Sequence, residues 1–133
     1  MRYMLIMNTP RDGYTQYMKW PKKILEANTA FMQAFTKKLS DAGELVATEG
    51  LAAPEQAKRV RAGKDGKLIT DGAFAESKEF LAGFWIVDVE SSERAYEIAG
   101  EVLDAPHATT MADGKPFEMV IEVREILGSH QDL

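Results

Sequence analysis

The chain contains no cysteine and only two histidines among its 133 residues. Without thiols it can form neither a disulfide nor a thiolate metal site. With two histidines and no paired ligand spacing, no metal is expected, and no motif calls for a cofactor. Absence of cysteine also fits a reducing compartment, so a cytoplasmic location is expected. No uninterrupted apolar stretch approaches the roughly 20 residues that a membrane-spanning helix needs. The opening run of residues 3–7 is followed at once by Asn8-Thr9-Pro10 and lacks the length and cleavage site of a signal peptide. Basic residues are outnumbered, 16 against 21 acidic, for a net charge of −5. That balance disfavours phosphate backbones and anionic bilayers, so neither nucleic acid nor membrane is expected as a partner. A phosphate-binding glycine loop, a nucleophile elbow and a zinc motif are all missing.

What is present is an ordered series of apolar patterns. Residues 3–7 form a compact apolar run of strand type. Residues 8–19 are polar, contain Asp12-Gly13, and are expected as loop. Pro21 suits a first helical turn, and Ile24, Leu25, Phe31, Met32, Phe35 and Leu39 recur at helical spacing. One long helix is therefore expected over residues 21–42, ended by Gly43, with a short strand over 44–48. Residues 50–70 read as an inserted hairpin: Pro54 opens it, residues 57–61 alternate, and Asp65-Gly66 supplies the turn before Leu68-Ile69. Residues 71–82 are expected as a polar loop and 84–89 as the strongest strand. Ser91 or Ser92 can cap the next helix, with Glu93 in its first turn and Ala95, Ile98, Ala99, Val102 and Leu103 as its apolar stripe. A loop over 104–116, a strand over 117–126 and a frayed tail from 128 complete the chain.

One domain over residues 1–127 with a flexible tail at 128–133 is expected. Its order is β-α-β, a hairpin insertion, then β-α-β, which predicts an α+β fold: a ferredoxin-like layer with both helices on one face of the sheet. Phe84 and Ile86 then point to the face opposite Trp85, Val87 and Val89, and Met4 and Ile6 oppose Tyr3, Leu5 and Met7. Helices cover one face, so several large apolar side chains remain on the other. A symmetric homodimer is the commonest way to bury such a patch. The alternative cover is the 50–70 hairpin folded across it.

The stretch Thr70-Asp71-Gly72-Ala73-Phe74-Ala75-Glu76-Ser77-Lys78-Glu79, followed by Leu81-Ala82-Gly83-Phe84, resembles the DGPF signature of the YCII-related (DGPF-domain) proteins. Arg2-Tyr3-Met4-Leu5, Gly43-Glu44-Leu45, Glu49-Gly50-Leu51 and Ile121-Glu122-Val123-Arg124 resemble that family as well, so the likeness spreads over residues 1–126. Ala73 stands where the signature has proline. The resemblance implies a ferredoxin-like dimeric α+β barrel, related in fold to muconolactone-isomerase-like enzymes. It also implies two functional directions: an enzyme with a histidine–aspartate pair in a cleft, or a protein associated with sigma-factor regulation of transcription. The long first helix here has no histidine, so that pair is not carried over onto it.

Several residues are candidates for chemistry. Asp71, before Gly72 at the start of a tight loop, reads either as a general base or as the anchor of an Asx-turn. His107 is the histidine inside the expected fold and suits proton transfer near neutral pH; it reads equally as a surface hydrogen-bonding residue. Glu76 and Lys78 can orient and hold an anionic ligand or remain a solvated ion-pair cluster. Asn28 falls on the apolar stripe of the long helix, either as a satisfied core amide or as part of a cavity wall. Trp20, with Tyr14 and Tyr17, can wall a pocket or simply pack the start of that helix. Lys58, Arg59, Arg61, Lys64 and Lys67 make the hairpin basic; a nucleic-acid surface is a weak reading because stacking aromatics are absent from the segment, and protection of the hairpin edge against pairing is the simpler one. These residues favour a small polar or anionic ligand bound without a metal, in a cleft near the DGxF loop. The alternative is a non-catalytic dimeric module acting through partners.

Overall fold

Alternating burial along the first strand sets the architecture. In the computed structural model, β1 (Arg2–Thr9) buries Tyr3 and Leu5 and leaves Met4 and Ile6 half-buried on its other side. Helices α1 (Gly13–Met18) and α2 (Lys22–Asp41) follow, then β2 (Leu45–Gly50), a single 3-10 turn at Pro54–Gln56, β3 (Lys58–Ala62) and β4 (Leu68–Gly72). The chain continues through β5 (Phe80–Asp88), α3 (Ser92–Val102) and β6 (Ile121–Glu125). The structure describes residues 1–72, 78–108, 114 and 118–128.

The main sheet is antiparallel, in the order β2-β5-β1-β6, so β1 and β5 are its two inner strands. Tyr3, Leu5, Trp85, Val87 and Val89 share one face and meet Phe35 and Leu39 of α2 and Ala95, Ile98, Ala99 and Val102 of α3. Both long helices therefore lie on that face, as their apolar stripes require. Leu5, Leu39, Val87, Ile98 and Val102 are fully buried, each worth about 1.5–3 kcal/mol of hydrophobic stabilisation. Phe35 meets Trp85 edge-on, with ring centroids 6.1 Å apart. The opposite face presents Met4, Ile6, Phe84 and Ile86, all half-buried, to the outside.

Local signals explain the element ends. Gly43 adopts φ 73°, its N–H donates to the Ser40 carbonyl and the Glu44 N–H to the Leu39 carbonyl, a Schellman closure that only a left-handed residue permits. Ser91 caps α3 by accepting the Arg94 N–H at 3.2 Å. The α3 helix is then tied to the start of β2: Arg94 Nε and Nη2 donate to the two Glu44 carboxylate oxygens, each at 2.8 Å.

Three segments differ from the sequence expectation. Residues 8–19 are not all loop. β1 runs on to Thr9, because beyond a bulge Asn8 and Thr9 still pair with Leu81 and Phe80. Gly13–Met18 then forms a helical turn and a half, supported by Gln16 Nε2 donating to Asp12 Oδ2 at 2.8 Å. Gly13 permits this tight return: a Cβ there would sit 1.6 Å from Thr9 Oγ1. The expected loop over 71–82 is likewise shortened, since β4 includes Asp71 and Gly72 and β5 begins at Phe80. The expected strand from 117 is seen from Ile121; Phe117 and the tail beyond residue 128 lie outside the described residues.

The inserted hairpin pairs β3 with β4 as a separate two-stranded sheet. Val60 and Leu68 share one of its faces and are 61% and 75% exposed. A hairpin laid across the open face of the main sheet would bury such residues, so it does not provide that cover. No described helix is long and apolar enough to cross a membrane.

Candidate functional site

The short helix α1 roofs a cavity of about 930 Å³ at one end of the sheet. Its floor and back come from Met7, Asn8 and Thr9 at the end of β1 and from Ile24, Asn28 and Met32 along the first turns of α2. Tyr14, Gln16, Tyr17, Lys19 and Trp20 form the α1 side. Leu51 to Pro54, after β2, close another wall, and Glu79, Glu118, Met119, Val120 and Glu122 stand at the remaining margin.

The sequence builds these walls from recognisable parts. Tyr14 and Tyr17 sit three residues apart on α1, so both project from one side of the turn. Tyr17 and Trp20 contact with ring centroids 5.1 Å apart and planes tilted by 60°, making an aromatic corner. His107 stands beside Trp20, the rings 6.5 Å apart, and its Nδ1 donates to the Ala108 carbonyl at 2.9 Å. Asn28 is 8% exposed although it is polar. Its Nδ2 donates at 2.8 Å to the carbonyl of Pro106, in the segment after α3. That bond fixes the amide plane and distinguishes its two ends, leaving Oδ1 as an acceptor.

Of the residues singled out from sequence, Trp20 and Asn28 line this cavity, with Tyr14 and Tyr17 beside them. His107 supports the Trp20 wall from behind. Asp71 lies elsewhere, on β4, with Oδ2 accepting from Arg61 Nε at 2.9 Å in a partly exposed ion pair. Arg59 Nε donates to the neighbouring Gly72 carbonyl at 2.8 Å, so this end of the hairpin is held by its own side chains. Lys78 is exposed and is not among the lining residues. Glu76, with the rest of residues 73–77, lies outside the described residues. Glu79 and Glu122 fall within the stretches that resemble the family, but nothing in the sequence joins them to Glu118 or to the three methionines Met7, Met32 and Met119. They become neighbours only when β1, α2, β5 and β6 assemble, so no local pattern could reveal them. Among the described residues no group of three or more histidine, aspartate or glutamate side chains is placed to hold a metal ion.

The arrangement defines a class: an α+β protein with helices on one face of an antiparallel sheet and a ligand-sized, aromatic-walled cavity at the sheet end. The chain belongs to the YCII-related domain family, whose model matches residues 1–102. That span runs from β1 through α3 and includes α1, α2 and the segment after β2, which make most of the cavity wall. The chain is also similar to an uncharacterized protein of Rhizobium meliloti (strain 1021), 28% identical over 100 residues that cover 75% of this chain and 81% of that one.

Proposed function

We propose that this protein binds a small organic molecule in the cavity beneath α1, as a homodimer of ferredoxin-like subunits. The carrying observation is the cavity itself. Its volume of about 930 Å³ falls at the upper end of the range for small-molecule sites. Its lining has the usual composition of such sites: apolar and aromatic walls with a few fixed polar groups. Asn28 is the clearest of these, a nearly buried amide oriented by one hydrogen bond in a largely apolar cavity wall.

The sheet order β2-β5-β1-β6 with two βαβ halves supports the ferredoxin-like reading, with β3–β4 as the insertion after the second strand. Met4, Ile6, Phe84 and Ile86 form a continuous apolar patch on inner strands, which supports a face-to-face dimer.

The site is tested by screening a fragment set against the isotopically labelled protein by two-dimensional NMR. Shifts of the Trp20 indole N–H and the Asn28 side-chain amide on addition of aromatic or aliphatic fragments are expected. Fragments that perturb only other regions, or none, would overturn the assignment.

A further inference from the structure

The polar groups around this cavity are not balanced in kind. Asn28 commits its Nδ2 to the Pro106 carbonyl, which leaves Oδ1, in a residue only 8% exposed, as an acceptor with no protein donor among the described residues. Among the described lining residues, Glu79, Glu118 and Glu122 add three carboxylates to the margin, against the ammonium of Lys19. An acceptor inside and an excess of negative charge at the mouth suit a ligand that donates hydrogen bonds and carries positive charge. The aromatic corner points the same way. Tyr17 and Trp20 both line the cavity with their rings in contact, and a cation within about 6 Å of an aromatic ring face is attracted by the ring quadrupole. The methionines and Ile24 then require an apolar body behind the charged group.

We infer that the ligand is an organic ammonium: an amine on an aromatic or aliphatic body, its N–H groups directed to Asn28 Oδ1 and the marginal carboxylates. This rests on the reading of the cavity as a ligand site and narrows it to one charge class. An anion of the same shape would face, among the described lining residues, three carboxylates with Lys19 in its favour. The preference is electrostatic and partly exposed, so it weakens as salt rises.

The experiment is a calorimetric titration at low ionic strength with three probes of matched shape: 2-phenylethylamine, 2-phenylethanol and 3-phenylpropionate. The amine is expected to bind at least about tenfold more tightly than the carboxylate, with the alcohol between them. In a Glu79→Gln, Glu118→Gln, Glu122→Gln variant, whose fold is checked by circular dichroism, the amine should fall toward the alcohol while the alcohol is unchanged. These substitutions are on exposed side chains and replace charge by an isosteric amide. Tighter binding of the carboxylate than of the amine would overturn the charge assignment and leave the cavity as a site. Failure of all three probes to bind would overturn the site and the charge assignment together.

Discussion

Asn28 Nδ2 donates to the carbonyl of Pro106 at 2.8 Å, joining α2 to the segment after α3 across 78 positions of sequence. The bond fixes one wall of the cavity and satisfies the Nδ2 end of an amide that is almost wholly enclosed. Replacing Asn28 by Leu removes the donor and strands the Pro106 carbonyl. The cost should be about 1–3 kcal/mol in urea unfolding, with the slope of the transition unchanged. A neutral result would show that the link is not part of the cavity's support.

Glu44 and Arg94 give a pH dependence of known sign. The hydrogen bonds from Arg94 hold the Glu44 carboxyl below its ordinary value of 4.5, and burial opposes this only in part. A folded-state pKa below the unfolded one means that the pair's stabilisation is complete above about pH 4.5 and is lost as the pH falls through the folded-state value. Glu44→Gln should therefore destabilise the protein by about 1–2 kcal/mol at pH 7, and by progressively less in acid. Thermal melts of the two proteins between pH 3 and 7 should converge at the acid end.

The open face of the main sheet predicts the assembly. Phe84→Glu places a charge among Met4, Ile6 and Ile86 without touching the helix-covered core. Sedimentation should show the parent protein at twice the 14.8 kDa chain mass and the variant at the single-chain mass. A monomeric parent protein would remove the dimer from the proposal.

The hairpin is a separable unit. Among the described residues β3 and β4 pair only with each other, and a two-stranded hairpin is marginally stable by itself. Its backbone amides should exchange with solvent far faster than those of β1 and β5. Replacing residues 58–71 with a short Gly-Ser linker should leave the four-stranded body folded, as judged by its near-ultraviolet circular dichroism.

Much of the architecture was legible because it rests on local signals. The apolar stripe of residues 24–39 with Gly43 behind it defines α2, Ser91 and Glu93 begin α3, and Asp65-Gly66 marks the hairpin turn. The α1 helix escaped because its evidence is short: six residues with no buried side chain, held by the close return of Gly13 onto Thr9 and by contacts made after folding. The same limit applies to the site. Trp20 and Asn28 stood out as an aromatic cluster and a polar residue on an apolar stripe. The convergence of the marginal carboxylates did not, although Glu79 and Glu122 lie in family-like stretches, because it depends on how β5 and β6 meet the end of β1. Asp71 attracted notice through its motif, and the structure places it in a strand against Arg61 rather than at the cavity.

The most direct test of the cavity as the binding site compares one ligand with two proteins. Ile24 lines the cavity on α2 and is only half-buried, so Ile24→Trp can fill the chamber while sparing the Phe35–Leu39 core. The affinity of the strongest fragment is measured by calorimetry for the parent protein and for this variant, with equal melting temperatures confirming the fold. At least about a tenfold loss of affinity in the variant is the predicted result. Equal affinity would place the ligand elsewhere and contradict the account.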